Sequence, residues 1–444
     1  MLDADQVVER ISQFPDARRY WVGFSGGLDS TVLLHLLAER RADLSAPLAA
    51  IHIHHGLQRQ ADDWAEHCEQ LCRRLSLPYE NLRVDAAAGA GESPEAAARG
   101  ARYRAIAERM RPGDMLLTAH HLDDQAETLM LQLLRGAGVE GLAAMPACRA
   151  WADGWHVRPL LDQPRAVLRA WADSRQLRWI EDPSNAQTTA DRNYLRHQVM
   201  PVLAARWPAV SRSLARSARH CADAAALIRE QAGRDIDTTI DGQGADENLK
   251  VEALCALGES RAAHVLRRWL RGRGAEPISE KRLRDLLGQI TTARSDAQVR
   301  VPIGDRQLRL YRGKLWLIPL QQAVPPAGLF EWGDEQIDTV ELGPGMGRVR
   351  RVERAGGIAP AQWSGNHVQI GFRDAGLRCR PAGRDGSRSF KKIVQEAAVP
   401  PWMRDRLPLL FINGEVAAIA NCCVCDPFAA RRGQIGWWVE WMPE

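Results

Sequence analysis

Over the first 180 residues, short apolar runs alternate with longer stretches in which apolar positions return every three or four residues. The runs at 20–24, 47–53, 79–84 and 114–119 predict strands, and the stretches at 62–75, 94–110, 122–134 and 165–175 predict helices. A further short run, 177–180, predicts a fifth strand. Such alternation argues for an α/β fold with a Rossmann-like parallel sheet covered on both faces, its ligands bound beyond the carboxyl ends of the strands. Ser25, His52 and His120 fall at those ends and are expected to line one crevice.

After residue 192 the pattern changes. Residues 205–290 are rich in Ala, Leu and Arg and read as helices, one of them over 260–271 with Val265, Leu266, Trp269 and Leu270 on one face. Ser279 is placed to cap the next helix. Period-two alternation returns at 298–318, with turn signals at Gly304-Asp305 and Arg312-Gly313. A Pro- and Gly-rich stretch at 324–328 and a glycine-rich segment at 343–357 lead to a final strand at 435–439. The expected organisation is a catalytic domain over 1–204, a mainly helical domain over 205–340 and a small α+β or β-rich domain over 341–444.

Charge sharpens this division. The chain of 444 residues carries a net charge of only +4, yet between Arg261 and Lys314 stand 14 Lys and Arg against 5 Asp and Glu, a local excess of +9. A field of that size favours a polyanionic partner. No apolar run approaches membrane-spanning length, and the acidic start of the chain lacks the pattern of an export signal, so a cytoplasmic protein without a membrane partner is expected. Nine cysteines without regular spacing fit a reducing compartment better than a disulfide framework.

The strongest chemical signal is Ser25-Gly26-Gly27-Leu28-Asp29-Ser30, set between the first strand and the first helix of the alternating region. Glycines let backbone approach an anion closely, and Ser30 and the free amides of the helix's first turn supply donors. No lysine completes a Walker A loop. The hexapeptide instead resembles the pyrophosphate loop (PP-loop) of ATP pyrophosphatases, which implies ATP binding by Ser25, Gly26, Gly27, Leu28, Asp29 and Ser30, with Mg2+ held by Asp29.

A second cluster runs from Thr118 to Thr128. Asp124 and Glu127, three apart on a predicted helix, share a face and can hold a magnesium ion, a substrate ammonium or each other's proton. Acids complementing the helix dipole are the plain structural explanation. A zinc site at His120 and His121 is not expected, because adjacent residues rarely offer both rings to one metal. In the third cluster, Ile51 to Leu57, alternation sets His52 and His54 on one face and His55 on the other, as crevice lining.

Together with Pro94 to Tyr103, Arg158-Pro159-Leu160-Leu161 and Glu181 to Asn193, these clusters resemble the bacterial tRNA(Ile)-lysidine synthase family over residues 20–201. The resemblance resumes at Cys379 to Arg384, Ser389 to Lys392 and Val399 to Arg404, which are similar to the final domain of the family's long form. Gln187 departs from the pattern, standing where the family usually has an acid. The resemblance implies ATP-dependent joining of L-lysine to C2 of the wobble cytidine of tRNA(Ile) with a CAU anticodon, through an adenylated tRNA. It also implies ATP contacts from His52 and His120 and a catalytic part for Asp29, Asp124, Glu127 and Arg192. Asp124 and Glu127 are the candidate lysine ligands, since two carboxylates offset the cost of burying an ammonium. Candidate tRNA ligands are Arg267, Arg268, Arg271 and Arg273 in the basic segment, and Arg384, Lys391, Lys392 and Arg404 near the C-terminus.

Two rivals remain at this stage: a tRNA thiolase using the same loop, and a non-catalytic, ATP-sensing RNA-binding protein. A thiolase needs catalytic cysteines or an iron-sulfur cluster. Cys68 and Cys72, and the trio Cys422, Cys423 and Cys425, read rather as core or surface thiols. The assembly is left open between a monomer and a homodimer.

Overall fold

The computed structural model describes residues 2–54, 56, 60–85, 94–183, 187–242, 247–292, 299–332, 337–372, 376–431 and 433–444. His55, Ser184 and Asn185 lie outside them. The chain forms two compact units, Met1–Ile228 and Arg229–Glu444.

The first unit contains α1 (Ala4–Ser12), β1 (Arg19–Gly23), α2 (Leu28–Glu39), β2 (Leu48–His54), α3 (Ala61–Arg74), β3 (Tyr79–Arg83), α4 (Pro94–Arg109), β4 (Asp114–Leu117) and α5 (Leu122–Leu134). It continues with α6 (Val139–Leu142), β5 (Cys148–Trp151), β6 (Gly154–Val157), α7 (Arg165–Ser174), α8 (Asp191–Tyr194) and α9 (Met200–Arg206). The boundary between the units falls within α10 (Val210–Thr239).

The strand order is β3-β2-β1-β4-β6-β5, with Tyr20 opposite both Leu48 and Met115. All neighbours are parallel except β5, which pairs antiparallel with β6 at the edge. Burial on both faces explains the near-continuous apolar strands. Tyr20, Val22, Leu48, Ala50, Met115 and Leu117 join one core with α1, α2, α3 and α7, while Trp21, Ala49, Ile51 and Leu116 join a second with Ile106 of α4 and Met110 just after it. Helix α2 is apolar nearly all round because it lies inside the first core.

One expected strand is corrected. Residues 177–180 form no strand. The sheet is completed instead by the β5–β6 hairpin, and Ile180 donates its backbone N–H to Gly26 O at 2.9 Å, where it packs on the glycine loop.

The second unit opens with β7 (Ile240–Asp241), β8 (Asn248–Lys250), α11 (Val251–Ala256), α12 (Glu259–Gly272), α13 (Glu280–Thr292), β9 (Arg300–Ile303), β10 (Arg306–Tyr311) and β11 (Lys314–Pro319). As the pattern predicts, α12 buries Val265, Leu266, Trp269 and Leu270. Ser279 Oγ accepts the N–H of Arg282 at 3.3 Å, the expected cap. These helices share a core with the antiparallel sheet β7-β8-β11-β10-β9.

The rest of the unit has its own core. It comprises β12 (Phe330–Glu331), β13 (Thr339–Glu341), β14 (Arg348–Ala355), α14 (Pro360–Trp363), β15 (Val368–Gly371), β16 (Arg378–Cys379), β17 (Arg388–Ser389), α15 (Phe390–Glu396), β18 (Leu409–Ile412), β19 (Glu415–Ile419), β20 (Cys423–Val424) and β21 (Ile435–Met442). Its sheets run β12-β15-β18-β19-β20, β13-β14-β21 and β16-β17.

Candidate active site

Strand order reverses between β1 and β4: β2 and β3 lie to one side of β1, and β4 with the later strands to the other. A crevice at the carboxyl ends of β1 and β4 follows from such a switch point. The two strongest sequence clusters leave the sheet there.

The loop after β1 is organised by its own hydroxyls. Ser30 Oγ donates to Gly27 O at 3.1 Å, accepts from Ser25 N at 3.3 Å and lies 3.0 Å from Ser25 Oγ. Thr31 Oγ1 donates to Gly26 O at 3.3 Å. Gly26 has φ +80°, and a Cβ there would clash with Ile180 Cδ1 and stand 2.9 Å from Cys68 Sγ, so the position requires glycine on two counts. Gly27 is the N-cap of α2 and makes no side-chain cap bond, as an anion-binding helix start demands. Asp29, in the first turn, accepts from Arg165 Nε at 3.3 Å.

The helix after β4 starts with a reciprocal cap. His121 Nδ1 accepts the N–H of Asp124 at 3.3 Å, and Asp124 Oδ2 accepts the N–H of His121 at 3.0 Å. With Nδ1 accepting, Nε2 is the ring nitrogen that carries a proton, and it lies 3.3 Å from Asp124 Oδ2 and 3.8 Å from Asp29 Oδ2. This buried imidazole links the glycine loop to the acidic helix.

Asp124 and Glu127 do share a face, and they meet two arginines there. Arg192 donates from Nε to Glu127 Oε2 at 2.9 Å and from Nη2 to Asp124 Oδ1 at 3.0 Å. Arg196 donates from Nε to Glu127 Oε1 at 2.7 Å and from Nη2 to Asp124 Oδ1 at 2.9 Å. The pair is thus an electroneutral cluster of two carboxylates and two guanidiniums. Burial opposes ionisation of Asp124, but His121 and Arg192 outweigh it and hold the carboxyl below its ordinary range. Burial likewise disfavours charge on Arg196, and its bonds to Glu127 more than compensate.

Behind the cluster runs a relay, buried at Arg158 and His156 and half-buried at Thr118 and His120. Arg158 only donates, so His156 Nδ1, 3.2 Å from Arg158 Nη2, accepts. His156 Nε2–H then donates to Thr118 Oγ1 at 2.9 Å, and that hydroxyl donates to His120 Nδ1 at 2.8 Å. Burial holds His120 down at about 3 and His156 at about 2, so both are neutral near pH 7. His52 donates from Nδ1 to Phe24 O at 2.8 Å, and desolvation lowers it too.

Sequence reasoning missed Arg196 and Arg165. Arg196 carried a signal, since it stands one helical turn after Arg192; Arg165, at the start of α7, carried none. Cys68 and Cys72 are buried in the core, as read from the sequence.

In the second unit Arg268, Arg271, Arg384, Lys391 and Lys392 are exposed, whereas Phe390 beside the lysines is buried. Arg267 pairs with Glu280 at 2.6 Å, Arg273 lies 3.9 Å from Glu247, and Arg384 pairs with Glu396 at 2.6 Å. Arg404 is held by structural contacts, donating to Val399 O at 3.0 Å and to Tyr311 Oη at 3.3 Å.

Residues 3–203 match the PP-loop domain family, 249–316 the TilS substrate binding domain and 368–441 the TilS substrate C-terminal domain. A tRNA(Ile)-lysidine synthase of Alkalilimnicola ehrlichii is 44% identical over 97% of this chain and 96% of its own length. Proteins of the same name from Coxiella burnetii and Pseudomonas aeruginosa are 36% and 40% identical, each over 99% of this chain and 96% of their own lengths. With its glycine loop and acidic helix at one switch point and this similarity along nearly its whole length, the chain belongs to the tRNA(Ile)-lysidine synthase family.

Proposed function

We propose that this chain joins L-lysine to C2 of the wobble cytidine in tRNA(Ile) bearing a CAU anticodon, using ATP and releasing AMP and pyrophosphate. The observation that carries the assignment is the Asp29–His121–Asp124 connection, which couples an anion-binding loop to a carboxylate–guanidinium cluster.

In the first step the C2 carbonyl oxygen attacks the α-phosphorus of ATP, and the bond to the bridging oxygen breaks. Pyrophosphate leaves on the amides of the loop Ser25–Ser30. In the second step a carboxylate takes a proton from the ε-ammonium of lysine, the resulting neutral amine attacks C2, and the C2–O bond breaks with AMP departing. The donor set at the loop, one half-buried carboxylate beside hydroxyls and the place for phosphates, fits Mg2+. Asp29 would hold that ion, which supplies charge neutralisation to the triphosphate.

Asp124 and Glu127 are proposed as the lysine ligands, by exchange. Incoming phosphates attract Arg192 and Arg196, and the ammonium of lysine takes the carboxylates they leave, so the site stays close to neutral. His52 and His120, both neutral, are proposed to face the nucleoside of ATP. For tRNA, Arg268, Arg271, Lys391 and Lys392 are proposed as phosphate contacts with Arg267, Arg273 and Arg384 beside them, while Arg404 serves mainly to hold the second unit together.

The test is incubation of the full chain with labelled lysine, ATP and bulk tRNA. Pyrophosphate release that requires tRNA and continues beyond one turnover only with lysine, with label in one isoleucine tRNA, is expected. Sulfur incorporation or ATP binding without turnover would sink the assignment.

A further inference from the structure

Three cysteine sulfurs converge in the C-terminal part of the second unit. Cys379 ends β16, Cys423 opens β20 and Cys425 lies just beyond it, and their Sγ atoms are all within 4.8 Å of one another. Residues 423 and 425 are two apart on extended backbone, so their side chains share a face. Backbone bonds lock the facing segment in place: Ala382 N–H donates to Val424 O at 2.9 Å, Asp426 N–H to Arg380 O at 2.8 Å, and Pro381 bridges to Cys425. Cys379 and Cys425 are buried and Cys423 is half-buried, so the cluster reaches the surface on one side.

The arrangement suits a soft cation better than the alternatives. Sulfurs around a tetrahedral zinc, each about 2.3 Å from the metal, lie roughly 3.8 Å apart, so the cluster needs to contract by about 1 Å at most. A disulfide needs its two sulfurs at about 2.05 Å and leaves the third thiol unused. Zinc binds cysteine as thiolate, so its binding displaces the thiol protons.

We propose that Cys379, Cys423 and Cys425 bind a single Zn2+ ion, with water in the fourth position on the Cys423 side. The ion ties the β16–β17 hairpin to β20, two segments joined in the sequence only through α15, β18 and β19. Its role is structural, since Zn2+ with thiolate ligands adds directly to folding stability. Cys422, adjacent in the sequence, is outside the three-sulfur cluster.

The experiment uses the full chain, reduced, stripped with a chelator and titrated with Zn2+ alone, then in parallel with Co2+ as a spectroscopic probe. One equivalent per chain, a thiolate-to-cobalt charge-transfer band and a thermal midpoint raised by Zn2+ are expected. Cys379→Ser and Cys425→Ser should each weaken binding more than about tenfold, and Cys255→Ser, at an exposed thiol on α11, should leave it unchanged. Alkylation mapped by mass spectrometry gives a readout free of any variant: Zn2+ should protect Cys379, Cys423 and Cys425 and leave Cys255 reactive. Absence of saturable binding, binding that persists in both serine variants, or a lack of protection at the three sites would overturn the proposal.

Discussion

Arg196 meets Glu127 side-on, with Nε 2.7 Å from Oε1 and Nη2 2.8 Å from Oε2. Two parallel bonds between planar groups demand both charge and shape, and lysine supplies only the first. Arg196→Lys should therefore behave much like Arg196→Met. Removing one partner of a buried pair costs about 3–5 kcal/mol, and because Arg192 still neutralises Glu127, a loss nearer about 2 kcal/mol is expected here. Urea unfolding measures it, and a lysine variant as stable as the parent would show that the bidentate geometry contributes nothing.

Asp124→Asn separates the roles proposed for the carboxylates. Asparagine keeps an oxygen for the His121 N–H and so preserves the cap, while removing the charge that an ammonium needs. The adenylated tRNA should still form in single-turnover reactions without lysine, and the lysine concentration for half-maximal rate should rise at least about tenfold, the effect of about 1.4 kcal/mol. Loss of adenylation would assign Asp124 to the magnesium or phosphate side of the site instead. Lysidine formation at ordinary lysine levels would remove it from both.

How much of this was legible in the sequence depends on range. Ser25–Ser30 could be read because a contiguous segment carries its own strand, turn and helix, and Asp124 and Glu127 because a helix repeats locally. The partner Arg196 lies 69 residues from Glu127, and only the fold brings them together. The same reason hid Cys379 from Cys423 and Cys425. The false strand at 177–180 has a different origin. Leu177, Trp179 and Ile180 are partly buried against the main core, so their apolar signal was real, but it reports packing on the glycine loop rather than pairing in the sheet. The β5–β6 hairpin had a turn signal in Asp153-Gly154, but its strands are only four residues each, too short to show a period of two.

Gly26→Ala tests that packing. The left-handed φ costs a non-glycine residue about 1–2 kcal/mol, and the close approach to Ile180 and Cys68 adds overpacking, so a destabilisation of about 3 kcal/mol is expected. Ile180→Ala opens the space without relaxing φ. The double variant should lose clearly less than the sum of the two, a coupling that denaturant unfolding reads directly. Strict additivity would mean that the loop moves away from Ile180 freely.

For tRNA, the structure divides the candidate cations by what they already hold. Lys391→Gln with Lys392→Gln should weaken tRNA binding and reduce the slope of log affinity against log salt by roughly one unit per lost contact. Arg404→Gln should leave that slope unchanged and lower the stability of the second unit, since its bonds to Val399 and Tyr311 are structural. A reduced salt slope in Arg404→Gln at unchanged stability would reverse the assignment.

The histidine relay predicts how stability depends on pH. His120 and His156 are held at about 3 and about 2 in the fold, against an ordinary value of 6.5. Between those values and 6.5 the unfolded chain binds more protons than the folded one, so unfolding free energy rises with pH through that window. The stabilisation is complete above about pH 6.5 and is lost progressively as the pH falls below it. Each such histidine contributes a slope of up to about 1.4 kcal/mol per pH unit. His120→Gln keeps an oxygen to accept the Thr118 hydroxyl and cannot titrate, so it should flatten the pH dependence between about pH 4 and 6 by up to one proton while leaving stability at pH 8 little changed. Urea midpoints for both proteins across pH 4–8 give the comparison, and parallel curves would show that His120 takes up its proton within the fold.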